Sequence, residues 1–133
     1  MTLYRLIHLP TDQAVAIVAR AEGWWAKGWG VLGRRVLPPG QGLWLPGVAS
    51  VHTVGVRFPL DLLFLNEYFQ AVSLVRETPP GRWLVRAPGA CHTLELGAGT
   101  LAEHVPAARS GEAWRLVLHG DRSLLKGTTQ RRD

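Results

Sequence analysis

Apolar and polar positions alternate from Leu3 to Leu9 and the alternation stops at Pro10, the pattern of a half-buried strand at the edge of a sheet. The next run, Gln13 to Arg20, fits two periods. Thr11 and Asp12 could cap a helix carrying Ala14, Val15, Ile17, Val18 and Ala21, yet β-branched Val15, Ile17 and Val18 also suit a strand, which is the reading we adopt. From Glu22 to Gly33, Trp25, Trp29 and Leu32 recur at helical spacing and predict a short helix. Packing of the tryptophans would have to hold it, because Gly28 and Gly30 each cost about 1 kcal/mol relative to alanine.

Pro38-Pro39-Gly40 marks a turn, and the chain then reads as short strands punctuated by Gly and Pro. The candidates are Leu43 to Leu45, Val51 to Val54, Leu60 to Leu65, Phe69 to Arg76, Trp83 to Arg86, His92 to Leu96 and Ala113 to Leu118, with turns at Asn66-Glu67 and Thr78-Pro79-Pro80-Gly81. Gly99 to Val105 predicts a short helix stopped by Pro106. The expected fold class is therefore mostly β (α+β), an antiparallel, barrel-like sheet with one or two short helices. Residues 1–120 form one expected domain, and 121–133 a basic, flexible tail containing Arg122, Lys126, Arg131 and Arg132.

Composition adds bounds rather than identity. The 133 residues suffice to bury about two-thirds of the unfolded chain's surface without disulfide or metal. Apolar residues make up 47% and charged residues 19%, so a packed core is expected. The single Cys91 cannot form an internal disulfide, and no Cys/His cluster has zinc-finger spacing. No apolar run resembles an export signal, and Asp61 and Asn66 interrupt the most apolar stretch, so the chain is expected to be cytoplasmic with no membrane span. Fifteen Lys and Arg against ten Asp and Glu favour anionic partners in a general electrostatic sense.

Three patches resemble an uncharacterised family of small prokaryotic proteins, domain of unknown function 192. The first is Gly30-Val31-Leu32-Gly33-Arg34 with Leu37-Pro38-Pro39-Gly40-Gln41-Gly42-Leu43, the second His52-Thr53 with Phe58-Pro59-Leu60-Asp61 and Phe64-Leu65, and the third Ala90 to Gly99, with CHTLELGAG within it. The resemblance spans roughly Ala14 to Leu118 and implies a β-rich fold with few helices, no established activity, and relatives of which many are exported. The chain departs from the family pattern in lacking an export signal and in having Thr53-Val54-Gly55-Val56-Arg57 ahead of the proline.

Candidate chemistry centres on His52, Asp61, His92 and Glu95, polar residues in strands expected to be largely apolar. Their convergence in one pocket would support a small hydrolase-type enzyme; Asp61 with Glu95 is the only facing carboxyl pair worth naming. Against this, Cys91 and His92 must point to opposite faces of a strand, no close-spaced metal ligands occur, and neither a metal nor a cofactor is expected. Gly28, Gly30 and Gly33 match G-x-G-x-x-G, but no strand precedes them and no acidic residue follows at the required distance. For Asp61 the structural role is favoured: behind Pro59 its carboxylate can accept backbone amides or pair with Arg57, fixing the strand entry. Core packing accounts for Trp25, Trp29 and Trp83, whereas Trp44, near a strand end, is the expected exposed aromatic, with Arg34 and Arg35 able to join it in an anion-accepting patch. The expected function is a non-catalytic accessory domain holding a small molecule or a protein in a groove beside Ser50–Asn66. Weak nucleic-acid or polyanion binding is the further alternative.

Overall fold

The computed structural model describes residues 2–21 and 36–120. The expected tryptophan-bearing helix over Glu22 to Gly33, Arg34, Arg35 and the basic tail lie outside the described residues.

Among the described residues nine strands and one short helix follow in order: β1 (Leu3–His8), β2 (Gln13–Arg20), β3 (Gln41–Pro46), β4 (Ser50–Val51), β5 (Leu60–Leu65), β6 (Ala71–Thr78), β7 (Val85–Arg86), β8 (His92–Gly97), α1 (Thr100–His104) and β9 (Trp114–Leu118). Seven of the strands form one sheet in the order β6-β5-β8-β3-β2-β1-β9, while β4 and β7 pair separately. The sheet curls into a half-barrel. At one corner its outer strands meet: Gln70 bridges Ala113, the Ala71 N–H donates to the Glu112 carbonyl and the Trp114 N–H to the Phe69 carbonyl.

Two expectations are corrected. The sheet is mixed, because β2 and β3 run parallel with Ile17 opposite Gln41 and Arg20 opposite Trp44. Parallel neighbours cannot be joined by a tight turn, and β2 and β3 are well separated in sequence, β2 ending at Arg20 and β3 starting at Gln41. β1 is an interior strand, flanked by β2 and β9, rather than an edge. Its alternation reports only that one face is buried, a condition that interior and edge strands both satisfy.

Side chains alternate across the central strands into two cores. Leu63 and Leu65 of β5 join Leu6, Val18, Trp44, Leu94 and Trp114 on the concave face, where Leu101 and Val105 from around α1 cover them. Leu60, Leu62 and Phe64 point the other way, into a second core with Leu43, Leu45 and Val56, flanked by Val51 and Val85 of the small sheet. Both faces of β5 are covered, so all six of its residues are buried and its sequence reads as an almost unbroken apolar run. Burying each such leucine contributes about 1.5–3 kcal/mol.

Candidate functional site

The structure separates the four polar residues whose convergence would have made a catalytic pocket. On β8, His92 shares the concave face with Leu94 and Leu96, whereas Glu95, buried between them in sequence, points to the opposite face. Glu95 lies across from Leu43 on β3 and Leu62 on β5, both in the second core. Asp61 and His92 belong to opposite ends of the β5–β8 pair: Asp61 is opposite Leu96 and His92 opposite Leu65. Four rows along a strand separate them by about 13 Å. His52 is exposed just beyond β4, which ends at Val51 rather than continuing to Val54. Among the described residues no group of three or more His, Cys, Asp or Glu could hold a metal ion.

Asp61 is completely buried and its carboxylate is a fastener. One oxygen accepts the Glu77 N–H of β6 at 2.9 Å and the other the Leu101 N–H of α1 at 3.0 Å. Acceptance of backbone amides was expected, but these donors lie far along the chain, while Arg57 is exposed. Gly99, the residue capping α1, makes no side-chain cap, so Asp61 supplies from β5 an acceptor for the helix start.

His92 sits in an aromatic cluster at the far end of the concave face. The Trp44 indole N–H donates to His92 Nδ1 at 3.2 Å, Phe69 packs with its centroid 4.8 Å from the imidazole, and the Arg20 guanidinium stands 5.2 Å from the Trp44 ring centroid. Tyr4 meets Trp44 edge-on at 5.0 Å. Burial, and secondarily the Arg20 charge, push the His92 imidazole below the ordinary histidine value.

The two tryptophans weighed for exposure exchange places. Trp44 is 9% exposed, because its position on β3 turns it into the concave core. Trp83 is 82% exposed and the adjacent Leu84 59%. The expected strand from Trp83 reduces to Val85–Arg86, so Trp83 lies in an irregular stretch with no buried face assigned to it.

That stretch is firmly held. Thr53 is completely buried; its backbone N–H donates to the Arg82 carbonyl, its carbonyl accepts from Gly81 N–H, and its hydroxyl donates to the Pro79 carbonyl while accepting from Arg82 N–H. Further along, Ser50 pairs with Arg86 and Val51 with Val85. The Ser50–Asn66 segment therefore fastens the arm that presents Trp83. Between this arm and the end of β6 lies a groove of about 420 Å³ lined by Arg76, Arg82 and Arg86, by Leu84 and by a single acidic residue, Glu77. Arg76 is steadied by donation to the Ala108 carbonyl at 2.9 Å.

Sequence reading missed one polar string. His8 is buried, with Nδ1 2.8 Å from Thr11 Oγ1 and Nε2 2.8 Å from Glu112 Oε1, and its ring packs on Trp114. The Arg109 N–H also donates to Glu112, and this bond, followed by that of His8, holds the carboxyl below its usual range. The string ties the β1–β2 turn to the loop ahead of β9. Its signal was available in the alternation of β1, which puts His8 on the same face as Leu6.

The match to the family domain of unknown function 192 (DUF192), described as "Uncharacterized ACR", runs over residues 7–107. The chain belongs to this family. Among curated proteins none matches the sequence. A Sinorhizobium meliloti protein, named only provisionally as a transcription regulator, has a similar crystal structure, with a TM-score of 0.73 at 20% identity over 86% of this chain and 92% of that one. A Novosphingobium aromaticivorans protein of unknown function is similar with a TM-score of 0.68 at 15% identity, over 85% of this chain and 83% of that one. At these identities the likeness is one of fold, and DUF192 remains a family of unknown function. No helix among the described residues is long and apolar enough to cross a membrane.

Proposed function

We propose that this DUF192 domain works by binding rather than by catalysis, and that its binding surface is the groove between β6 and the Pro79–Arg86 arm, taking an anionic partner. The observation that carries the reading is Trp83, 82% exposed on an arm that a completely buried threonine fastens. An exposed indole on a frayed loop would be unremarkable in a solvated surface, but here backbone and hydroxyl bonds hold the arm on either side of Trp83, so the indole projects from an anchored backbone. Such preorganisation lowers the ordering cost of binding. Arg76, Arg82 and Arg86 against Glu77 give the groove a positive balance, which steers anions toward it.

The separation of Glu95 from His92, and of Asp61 from both, supports binding over acid–base chemistry, since proton transfer needs groups within hydrogen-bond reach of one substrate. The S. meliloti structure, with its provisional regulatory name, is compatible with a partner-binding role.

The test is an NMR titration of the full chain at low salt with two polyanions, dodecaglutamate and heparin. The Trp83 indole resonance shifts on addition of a bound polyanion, and the double variant Arg82→Ala/Arg86→Ala loses the shift. An indole resonance unmoved by either polyanion, or moved equally in the double variant, overturns the assignment.

A further inference from the structure

We infer that the anion for which this groove is built is a single-stranded nucleic acid, with a base stacked on Trp83 and the phosphates beside Arg82 and Arg86; this rests on the binding surface proposed above. Charge alone would not distinguish a nucleic acid from an acidic peptide. The distinguishing feature is the pairing of an exposed indole with arginines on the same short, backbone-anchored arm: Arg82 precedes Trp83 directly, and Arg86 follows three residues on. Single strands carry π-faces and phosphates together, and proteins that bind them combine stacking platforms with a positive groove. An acidic peptide offers carboxylates but no repeating aromatic plane, and would leave most of Trp83 in water.

Duplex DNA fits less well. Its bases are already stacked within the helix, so an indole standing out from a short arm finds no free base face. Leu84, 59% exposed, gives the groove an apolar surface that suits an unpaired base better than a hydrated phosphate backbone. No salt bridge joins Arg76, Arg82 or Arg86 to a carboxylate among the described residues, and Glu77 is the single acidic residue of the groove.

The experiment measures binding of fluorescein-labelled dT15 to the full chain by anisotropy between 50 and 200 mM salt, with a 15-base-pair duplex and dodecaglutamate as comparisons; these lengths and concentrations are about the scale at which counterion release is read. Trp83→Ala is expected to weaken dT15 binding about 10-fold, and Trp83→Phe to retain most of the affinity. The slope of log affinity against log salt is expected to be about −2, with Arg82→Ala/Arg86→Ala flattening it by about 1.4. Because Trp83 and both arginines are exposed, these variants fold, and their circular dichroism spectra and melting temperatures serve as the control.

Dodecaglutamate binding as tightly as dT15, with Trp83→Ala changing neither, overturns the nucleic-acid inference while leaving the anion-binding groove in place. Tighter binding of the duplex does the same. Affinity for dT15 that is unchanged in all three variants places binding elsewhere on this basic chain, and absence of binding by every polyanion at low salt overturns both readings.

Discussion

The Asp61 carboxylate of β5 accepts the Leu101 N–H of α1 at 3.0 Å in a fully buried position, joining residues 40 apart in the chain. Its other oxygen holds the Glu77 N–H, so one side chain satisfies two donors that the surrounding apolar core cannot. Removing it leaves both amides without that acceptor, at about 1–3 kcal/mol for each unsatisfied group. Asp61→Ala is accordingly expected to destabilise the protein by about 2–6 kcal/mol and to lower the melting temperature by roughly 10 °C or more. Asp61→Asn keeps one acceptor but turns an NH2 toward the other amide, and recovers less than half of the loss. Thermal and urea unfolding measure both, and an unchanged melting temperature for Asp61→Ala would show that the carboxylate is not a fastener.

His92 makes a prediction about pH. Burial and Arg20 hold its imidazole below the ordinary histidine value, so the unfolded chain binds more protons than the native one as pH falls through about 6.5. The contribution is fully present above that pH and is lost progressively as pH drops toward the lower native value. Protonation of Nδ1 would also set two donors against each other, since the Trp44 N–H already points at it. Imidazole NMR is expected to show His92 titrating below the unfolded reference. The fall in melting temperature between pH 7 and 5 should become shallower in His92→Gln, scaled on about the ordinary histidine range. A native pKa above the reference would reverse the sign and refute the account.

Gly97 is predicted to be irreplaceable for steric reasons. A Cβ there would run into the backbone of Leu37 and Pro38, which cross directly over the end of β8. Backbone atoms cannot swing aside as a flexible side chain does, so Gly97→Ala must displace the crossing segment, costing about 1–3 kcal/mol or more. Gly89 offers a contrast: the space around it is open, and only its φ of +91 opposes a side chain. Gly89→Ala is expected to cost about 1–2 kcal/mol. Denaturant midpoints for the two variants rank the effects, and a Gly97→Ala protein as stable as the parent would contradict the close approach.

Much of the secondary structure was legible because it depends on neighbours. The alternation of Leu3 to Leu9, the β-branched run of β2, the apolar run of β5 and the short helix before Pro106 all appear where the residue pattern puts them. The family resemblance was also readable, from short patches in the right order. The candidate site was less so. Trp44 and Trp83 each stand near a predicted strand end, and their own neighbours do not say which would be covered. Trp44 is buried because β3 is flanked by β2 and β8 and its face is turned toward β1, where Tyr4 waits; Trp83 is exposed because Thr53, 30 positions earlier, holds its arm away from the core.

By itself, then, the sequence determined where most of the strands form and which of their positions alternate, since side-chain period is a local property of the backbone. The partners of Asp61, the parallel junction of β2 with β3, the division of His92 from Glu95 and the exposure of Trp83 were decided only by tertiary structure. Each depends on which distant segment arrives at a given face, and that choice is made by the packing of two cores at once.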